Sequence, residues 1–154
     1  MTDQLTHQSS AYSAYLHAKH SGNASEVDQS NIAQDPEYSY LYARDLVCGT
    51  WTLGEDSIAQ SPEYSYLYAR DIINGQWPPG EAAIARDAFY SFLYAKHIIQ
   101  GPWAIGEDAI ATDPMHAYTY ARDVIQGTWT KGESAIMNDP QCARMYETDQ
   151  TRSN

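Results

Sequence analysis

The sequence predicts an all-α solenoid of about five 26-residue repeats, each a long helix followed by a short one, with degenerate units at both ends. Two observations predict this fold. Each unit carries helix start and stop signals, and several residue types recur at one fixed interval, which is typical of stacked-repeat proteins. The recurring residues include Trp51, Trp77, Trp103 and Trp129; Gly49, Gly75, Gly101 and Gly127; and Glu55, Glu81, Glu107 and Glu133.

The 26-residue interval also predicts how the chain is divided. Residues 9–34 form a degenerate N-terminal cap repeat, because "YLHAKH" and "NIAQ" match "YLYARD" and "SIAQ" of the next unit but the tryptophan is missing. Residues 139–149 form a C-terminal cap helix, since atypical end units cover the exposed core of a solenoid. Residues 1–8 and the tail 150–154 are predicted to be disordered. The full repeats are 35–60, 61–86, 87–112 and 113–138.

The long helix of each unit is predicted from its two ends. In the first full unit Asp35 caps the helix and Pro36 occupies the first turn, where its missing N–H costs nothing. The helix is expected to run to about Cys48 and to end at Gly49, the favoured residue just past a helix C-terminus. The equivalent residues of the other units predict the same element.

The buried side of the long helix follows from helical periodicity. At 100° per residue five positions gather on one face, and a single unit cannot bury that face alone, so stacking is expected to cover it. We expect the repeating tyrosines to pack in this core with their hydroxyls reaching water. The predicted buried face is Ser39, Tyr42, Ala43, Leu46 and Val47. The predicted repeat core includes Tyr42, Ala43, Trp51, Tyr68, Trp77, Tyr94, Trp103, Tyr120, Trp129 and Tyr146.

The second helix of each unit is predicted to be short, over roughly 55–60 in the first unit and 3₁₀ in part. Glu55 follows Gly54 at its start, where an acidic side chain suits the positive end of the helix. The four equivalent glutamates could also suggest acid–base chemistry or calcium binding. Acid–base catalysis needs two carboxylates in unlike environments, whereas a repeat gives every copy the same one, and the calcium-loop spacing of an EF-hand is absent.

The repeats "SPEYSYLYARDIINGQWPPGEAAIA" and "DPMHAYTYARDVIQGTWTKGESAIM" resemble the YARDV-x-x-G-x-W-x-x-x-E-x-x-I repeats of bacteriophage-encoded proteins, mostly of unassigned role. The alternation of long and short helices is similar to the leucine-rich-repeat-variant solenoid, a right-handed all-helical stack. The tyrosine-rich first helix departs from that second family, so only its architecture is carried over. The phage resemblance implies a viral accessory protein in a bacterial cytoplasm, and neither resemblance implies catalytic residues.

The net charge limits the classes of partner that the chain is expected to bind. Twenty acidic and nine basic residues give a net charge of −11, which argues against binding nucleic acid or an anionic membrane directly. Cys48 and Cys142 lie far apart, and the histidines share no zinc-ligand spacing with them, so no metal or other cofactor is expected. No secretory or membrane-spanning segment is predicted. Because no nucleophile–base pair or phosphate loop is present, the sequence predicts no enzyme.

The residues that differ between copies are the candidates for recognition, because a repeat-invariant position builds the stack. The long helix presents a charged stripe in the first two full units, and that stripe becomes more apolar in the third and fourth. A column of arginines and aspartates (Arg44 and Asp45 in the first full unit) suggests an ion-pair ladder between adjacent units. The candidate partner-binding residues are Glu37, Leu41, Asp45, Glu63, Leu67, Asp71, Phe89, Leu93, His97, Met115, Asp123, Glu55, Glu107 and Asp108.

Three hypotheses for function follow. The first is a non-catalytic acidic protein that inhibits a host defence or nucleic-acid-handling complex, of anti-CRISPR or anti-restriction type, partly by negative-charge mimicry. Adjacent helices pack about 8–10 Å apart, which exceeds the spacing of phosphates on one strand, so mimicry would need acids from both helices. The second is a self-assembling structural module, for instance a homodimer. The third is a sponge for a small signalling nucleotide, held by tyrosines and arginines in the groove.

Overall fold

The computed structural model describes residues 9–152 of the chain, which form helices and connecting turns with no strand among them. The predicted disorder of residues 1–8 lies outside the described residues, as do positions 153–154. The α-helices are α1 Ser10–Ser21, α2 Glu26–Ile32, α3 Pro36–Tyr42, α4 Thr52–Ile58, α5 Pro62–Tyr68, α6 Pro78–Ile84, α7 Ala88–Tyr94, α8 Glu107–Ile110, α9 Pro114–Tyr120, α10 Thr130–Asn138 and α11 Pro140–Arg152.

The helices stack in chain order, which makes the fold the expected all-α helical-repeat solenoid. Within each unit the long helix packs on the short one, as α3 packs on α4 and α5 on α6. The long helices of adjacent units also contact one another directly, in the order α1, α3, α5, α7, α9, α11. Each unit therefore buries its apolar face against its two neighbours.

The predicted helix starts are present. The Asp35 side chain accepts hydrogen bonds from the backbone N–H groups of Glu37 and Tyr38, at 3.0 and 3.2 Å. Ser61, Asp87 and Asp113 cap the next three long helices in the same way. These caps satisfy backbone donors that a helix N-terminus leaves free.

The C-terminal end of each long helix differs from the expectation. The last five residues, Ala43–Val47 in the first full unit, form a π-helical turn, and Cys48 takes the left-handed conformation (φ 54°) that was expected of the glycine. The Gly49 N–H then donates to the Ala43 carbonyl at 3.1 Å. The equivalent π segments are Ala69–Ile73, Ala95–Ile99 and Ala121–Ile125, followed by left-handed Asn74, Gln100 and Gln126.

Two predicted positions of the long helix lie in other environments than expected. Because the turn shifts later side chains around the axis, Val47 is 41% exposed, although it was expected inside. Leu41, expected outside, is half-buried against the core. Leu46 of the predicted face is half-buried, whereas the residues predicted for the repeat core are buried. Five isoleucines at or near the ends of the short helices are fully buried. These residues are Ile32, Ile58, Ile84, Ile110 and Ile136.

Two predicted boundaries are wrong. The short helix of the first full unit begins at Thr52, directly after Trp51 and three residues earlier than expected. The third copy alone is a single α-turn, Glu107–Ile110. At the other end α11 continues to Arg152, through residues that were expected to be disordered.

Candidate functional site

A buried hydrogen-bond chain joins each full unit to the element that follows it, and it uses the tryptophan, tyrosine and glutamate that recur every 26 residues. The Trp51 backbone N–H donates to the Tyr68 hydroxyl at 3.0 Å, and that hydroxyl donates to Glu55 Oε1 at 2.8 Å. The same three atoms meet at every later junction. The equivalent groups are Trp77, Tyr94 and Glu81; Trp103, Tyr120 and Glu107; and Trp129, Tyr146 and Glu133.

This junction corrects two expectations. The hydroxyls of Tyr68, Tyr94, Tyr120 and Tyr146 do not reach water but bind the preceding unit. The glutamates lie in the first turn of a helix, as expected, and also accept hydrogen bonds from the next unit. Burial is the main cause that raises the pKa of Tyr120, to about 12, and it raises the pKa of Tyr68 and Tyr94 as well. These hydroxyls therefore stay protonated donors at neutral pH.

The glycine of each Gly-Glu pair is required by the tryptophan beside it. A Cβ added at Gly80 would lie 2.5 Å from the Trp77 ring and 2.7 Å from Ser65 Cβ. The Ser65 hydroxyl is itself fully buried and donates to the carbonyl of Ile58 in the preceding unit at 2.9 Å. Tryptophan, glycine and serine thus form one closely packed joint.

A second hydrogen-bond chain, here named the surface ladder, joins the long helices nearer to solvent. The Tyr40 hydroxyl donates to Asp71 Oδ2 of the next unit at 2.6 Å. Arg44 binds Asp45 of its own unit through Nε at 2.6 Å and stacks over the Tyr40 ring at 5.2 Å. The arginine–aspartate pairs are therefore internal to a unit, and the expected ladder between units is made by the tyrosine instead. Tyr15 and Tyr118 make the same bond to Asp45 and Asp149.

The surface ladder changes its chemistry around the third full unit. The Tyr66 hydroxyl meets His97 Nδ1 at 2.9 Å where other copies have an aspartate. Phe92 has no hydroxyl, and Lys96 Nζ reaches Asp123 Oδ2 of the next unit at 2.8 Å in its place. Hydrogen bonds from Arg122 are the main cause that lowers the pKa of Asp123 to about 2, and Lys96 adds to the shift. Arg44 does the same for Asp45, whose pKa is also about 2.

The predicted partner-binding residues fall into different environments. Glu37, Glu63, Phe89 and Met115 occupy one repeat position and are exposed, so they form a surface column at the start of the long helices. Leu67 and Leu93, like Leu41, are half-buried against the core. The other acidic candidates and His97 are held by the contacts described above, except Asp108, which pairs with Lys131 at 2.9 Å. The structure therefore separates the predicted stripe into columns.

A second exposed column was missed by the sequence reasoning, and we name it the short-helix row. Its members are the exposed side chains of Val27 (69%), Leu53 (54%), Pro79 and Ile105 (57%), with Lys131 at the same position of the last unit. They recur every 26 residues at the start of the short helices. The signal was present in the sequence as a repeated apolar position, but the predicted helix over 55–60 left it in the linker.

One cleft lies between the last π segment and α11; it involves Tyr118, Arg122, Gln126, Gly127 and Tyr146 and has a volume of about 270 Å³. Arg122 in this cleft is already bound to Asp123 through Nε and Nη2. Among residues 9–152 no three histidine, cysteine or acidic side chains lie together as a group that could hold a metal ion. Within the same range no helix is long and apolar enough to cross a membrane.

The chain was compared with models of known protein families, with curated proteins and with solved structures, and none of the three comparisons finds a match.

Proposed function

We propose that the chain is a non-catalytic acidic scaffold that binds a protein partner carrying a basic surface. The observation that carries this proposal is the use of its cations. Within residues 9–152, six basic side chains are ion-paired inside the chain, so they neutralise their own acids and leave the acid excess facing solvent. The six are Lys19, Arg44, Arg70, Lys96, Arg122 and Lys131.

The repeat-invariant polar groups support the same proposal. The tyrosine–glutamate and tyrosine–aspartate bonds hold adjacent units together, so these groups are structural. The features left for recognition are the net charge of −11 and a few exposed apolar columns. Complementary charge accelerates association and selects partners, which suits a protein that acts by occupying a basic surface.

The biological setting is part of the proposal and rests on the repeat resemblance. A phage-encoded acidic scaffold in a bacterial cytoplasm would inhibit a host defence or nucleic-acid-handling complex by covering its basic groove. Affinity capture from a bacterial lysate, eluted with rising salt and read by mass spectrometry, tests this. We expect a basic protein that elutes as the salt screens the charges. Capture of neutral partners alone, unaffected by salt, would contradict the electrostatic part.

Self-assembly is a second candidate, favoured by the exposed Phe89 (45%) and Met115 (43%) at adjacent copies of one position. Such a pair of apolar side chains could pack against the same pair of another copy. Molar mass in solution decides between the two: a mass that rises with concentration in the micromolar range supports assembly, and a constant monomer mass excludes it.

A further inference from the structure

The short-helix row has a geometry that fits one kind of partner. Val27, Leu53, Pro79 and Ile105 lie on consecutive units, one per unit, and all four are exposed. The long helices of adjacent units pack against one another, and packed helices lie about 8–10 Å apart, so the units and their row members repeat at about that interval along the stack. A partner that contacts all of them needs an apolar side chain at the same interval.

An α-helix laid along the stack meets this requirement. Two helical turns advance about 10.8 Å, so residues seven apart lie on one face at nearly the interval of the units. An extended strand does not meet it, because residues two apart on one face are separated by only about 6.6 Å. The row therefore selects a helix with an apolar residue every seven positions.

Acidic side chains beside the row add a charge requirement. Asp56 lies three residues after Leu53 in α4, so the two share a helix face. Asp108, in the first turn of α8, follows Ile105 of the preceding turn at the same sequence spacing. Lys131 shows what an acid in this place binds: it reaches back to Asp108 at 2.9 Å and to Glu107 at 3.7 Å of the preceding unit.

Asp56 has no such partner among residues 9–152. The residue that corresponds to Lys131 for Asp56 is Pro79, which carries no charge, and Asp56 is exposed and has no ion pair among the described residues. A basic side chain of a docked helix would reach Asp56 as Lys131 reaches Asp108. The charge complementarity is therefore local to the row and does not depend on the net charge alone.

We propose that the short-helix row is the docking surface for a basic amphipathic helix of the partner. This inference rests on the proposed function, since it names the surface and the partner's recognition element. The helix lies across the starts of α2, α4 and α6 and the turn before α8. Its apolar residues contact the row, and its lysines or arginines meet Asp56.

A matched pair of double variants tests the proposal. Leu53→Glu with Ile105→Glu changes the row, and Phe89→Glu with Met115→Glu changes the other exposed apolar column by the same two charges. Glutamate is already the native residue at the equivalent positions 37 and 63, so the control retains a sequence the fold accepts. Circular dichroism and thermal unfolding confirm that both variants are folded before binding is measured.

The probe is a synthetic 22-residue helical peptide of leucine and lysine, titrated by calorimetry. Leucine occupies every seventh position and also the position one helical turn away from each of these. We expect the intact chain to bind it, the row variant to bind at least tenfold more weakly, and the control variant to bind within twofold of the intact chain. A shuffled peptide of the same composition is expected to bind at least tenfold more weakly to the intact chain.

Three outcomes would overturn the proposal: no binding of the probe to the intact chain, equal affinity of the row and control variants, or equal affinity of the ordered and shuffled peptides. A loss confined to the Phe89–Met115 variant would place docking on that column instead. The proposed function fails separately, when the lysate capture described above returns no salt-sensitive basic partner from the intact chain.

Discussion

The same two neighbouring units are joined by two hydrogen-bond chains that behave differently along the stack. The buried chain, exemplified by Trp77, Tyr94 and Glu81, is identical at all four of its junctions. The surface ladder exchanges aspartate for histidine at His97 and tyrosine for phenylalanine at Phe92. A buried donor left without a partner costs far more than an exposed one, because water replaces a lost partner only at the surface.

The difference teaches where this chain accepts change. At the buried junction the tryptophan N–H, the tyrosine hydroxyl and the glutamate carboxylate must fit together at once, so the residues that recur in every copy are those that stacking needs. In the surface ladder a cation, a hydroxyl and a carboxylate can be rearranged, as Lys96 and Asp123 show, and the units stay joined. The surface ladder thus accepts variation between copies while the units stay joined.

The largest effect is expected from a single methyl group at Gly80. Gly80→Ala forces the Trp77 ring and Ser65 apart, since both lie within 2.7 Å of the new Cβ, and overpacking of this kind costs about 3 kcal/mol. Gly75→Ala is the matched control, because no atom lies within 4 Å of its Cβ and its φ is not left-handed. The control is expected to be neutral or stabilising by about 0.5 kcal/mol. Urea unfolding measures both, and equal losses would contradict the account of the joint.

Removal of one buried hydroxyl comes next. Tyr94→Phe leaves the Trp77 backbone N–H and Glu81 without their shared partner, and we expect the free energy of unfolding to fall by about 2 kcal/mol. Tyr40→Phe removes a hydroxyl from the surface ladder and is expected to cost about 0.5–1 kcal/mol, because water can hydrate Asp71. The comparison fails if the surface variant is the more damaging one.

Much of this architecture was predictable from the sequence. The interval of 26 residues, the Asp35–Pro36 cap and the buried Tyr42 and Trp51 follow from local rules, and the structure contains them. The π turn before Cys48 was not predictable, because its amino-acid composition does not differ from that of an ordinary helix end.

The contacts between units were beyond the sequence. The Tyr68–Glu55 bond spans 13 residues, and which atoms meet there depends on how one unit is rotated relative to the next. The 26-residue interval predicts that a contact recurs in every unit, but it does not predict which residues form that contact. The short-helix row was missed for a related reason, since Leu53 lies two residues before residue 55, where α4 was predicted to start.

The smallest effect concerns His97. Burial first, and then Lys96 and Arg70, lower the pKa of His97 below its ordinary value of 6.5, so the unfolded chain binds a proton at this position more readily than the folded chain. Its contribution to stability is therefore complete above about pH 6.5 and is lost as the pH falls through 6.5 towards the folded pKa. His97→Asp removes this loss and restores the tyrosine–aspartate bond of the other copies.

We expect His97→Asp to raise the free energy of unfolding at pH 7 by roughly 0.5 kcal/mol and to flatten its decline between pH 7.5 and 5.5. His20→Asp, which makes the same charge change on the exposed side of α1, is the control. Urea unfolding at several pH values gives the comparison, and an equally flattened decline in the control would show that the effect is one of net charge.

The central claim is that a buried chain from the tryptophan amide through tyrosine to glutamate holds adjacent units together at each of its four junctions. Hydrogen exchange of the four tryptophan backbone amides, resolved by NMR, tests it most directly. Although these amides lie at the ends of linkers, we expect all four to be protected nearly as strongly as the helical core, because each donates to a buried hydroxyl. Exchange as fast as that of the exposed linker residues Thr50, Gln76 and Thr128 would contradict the account.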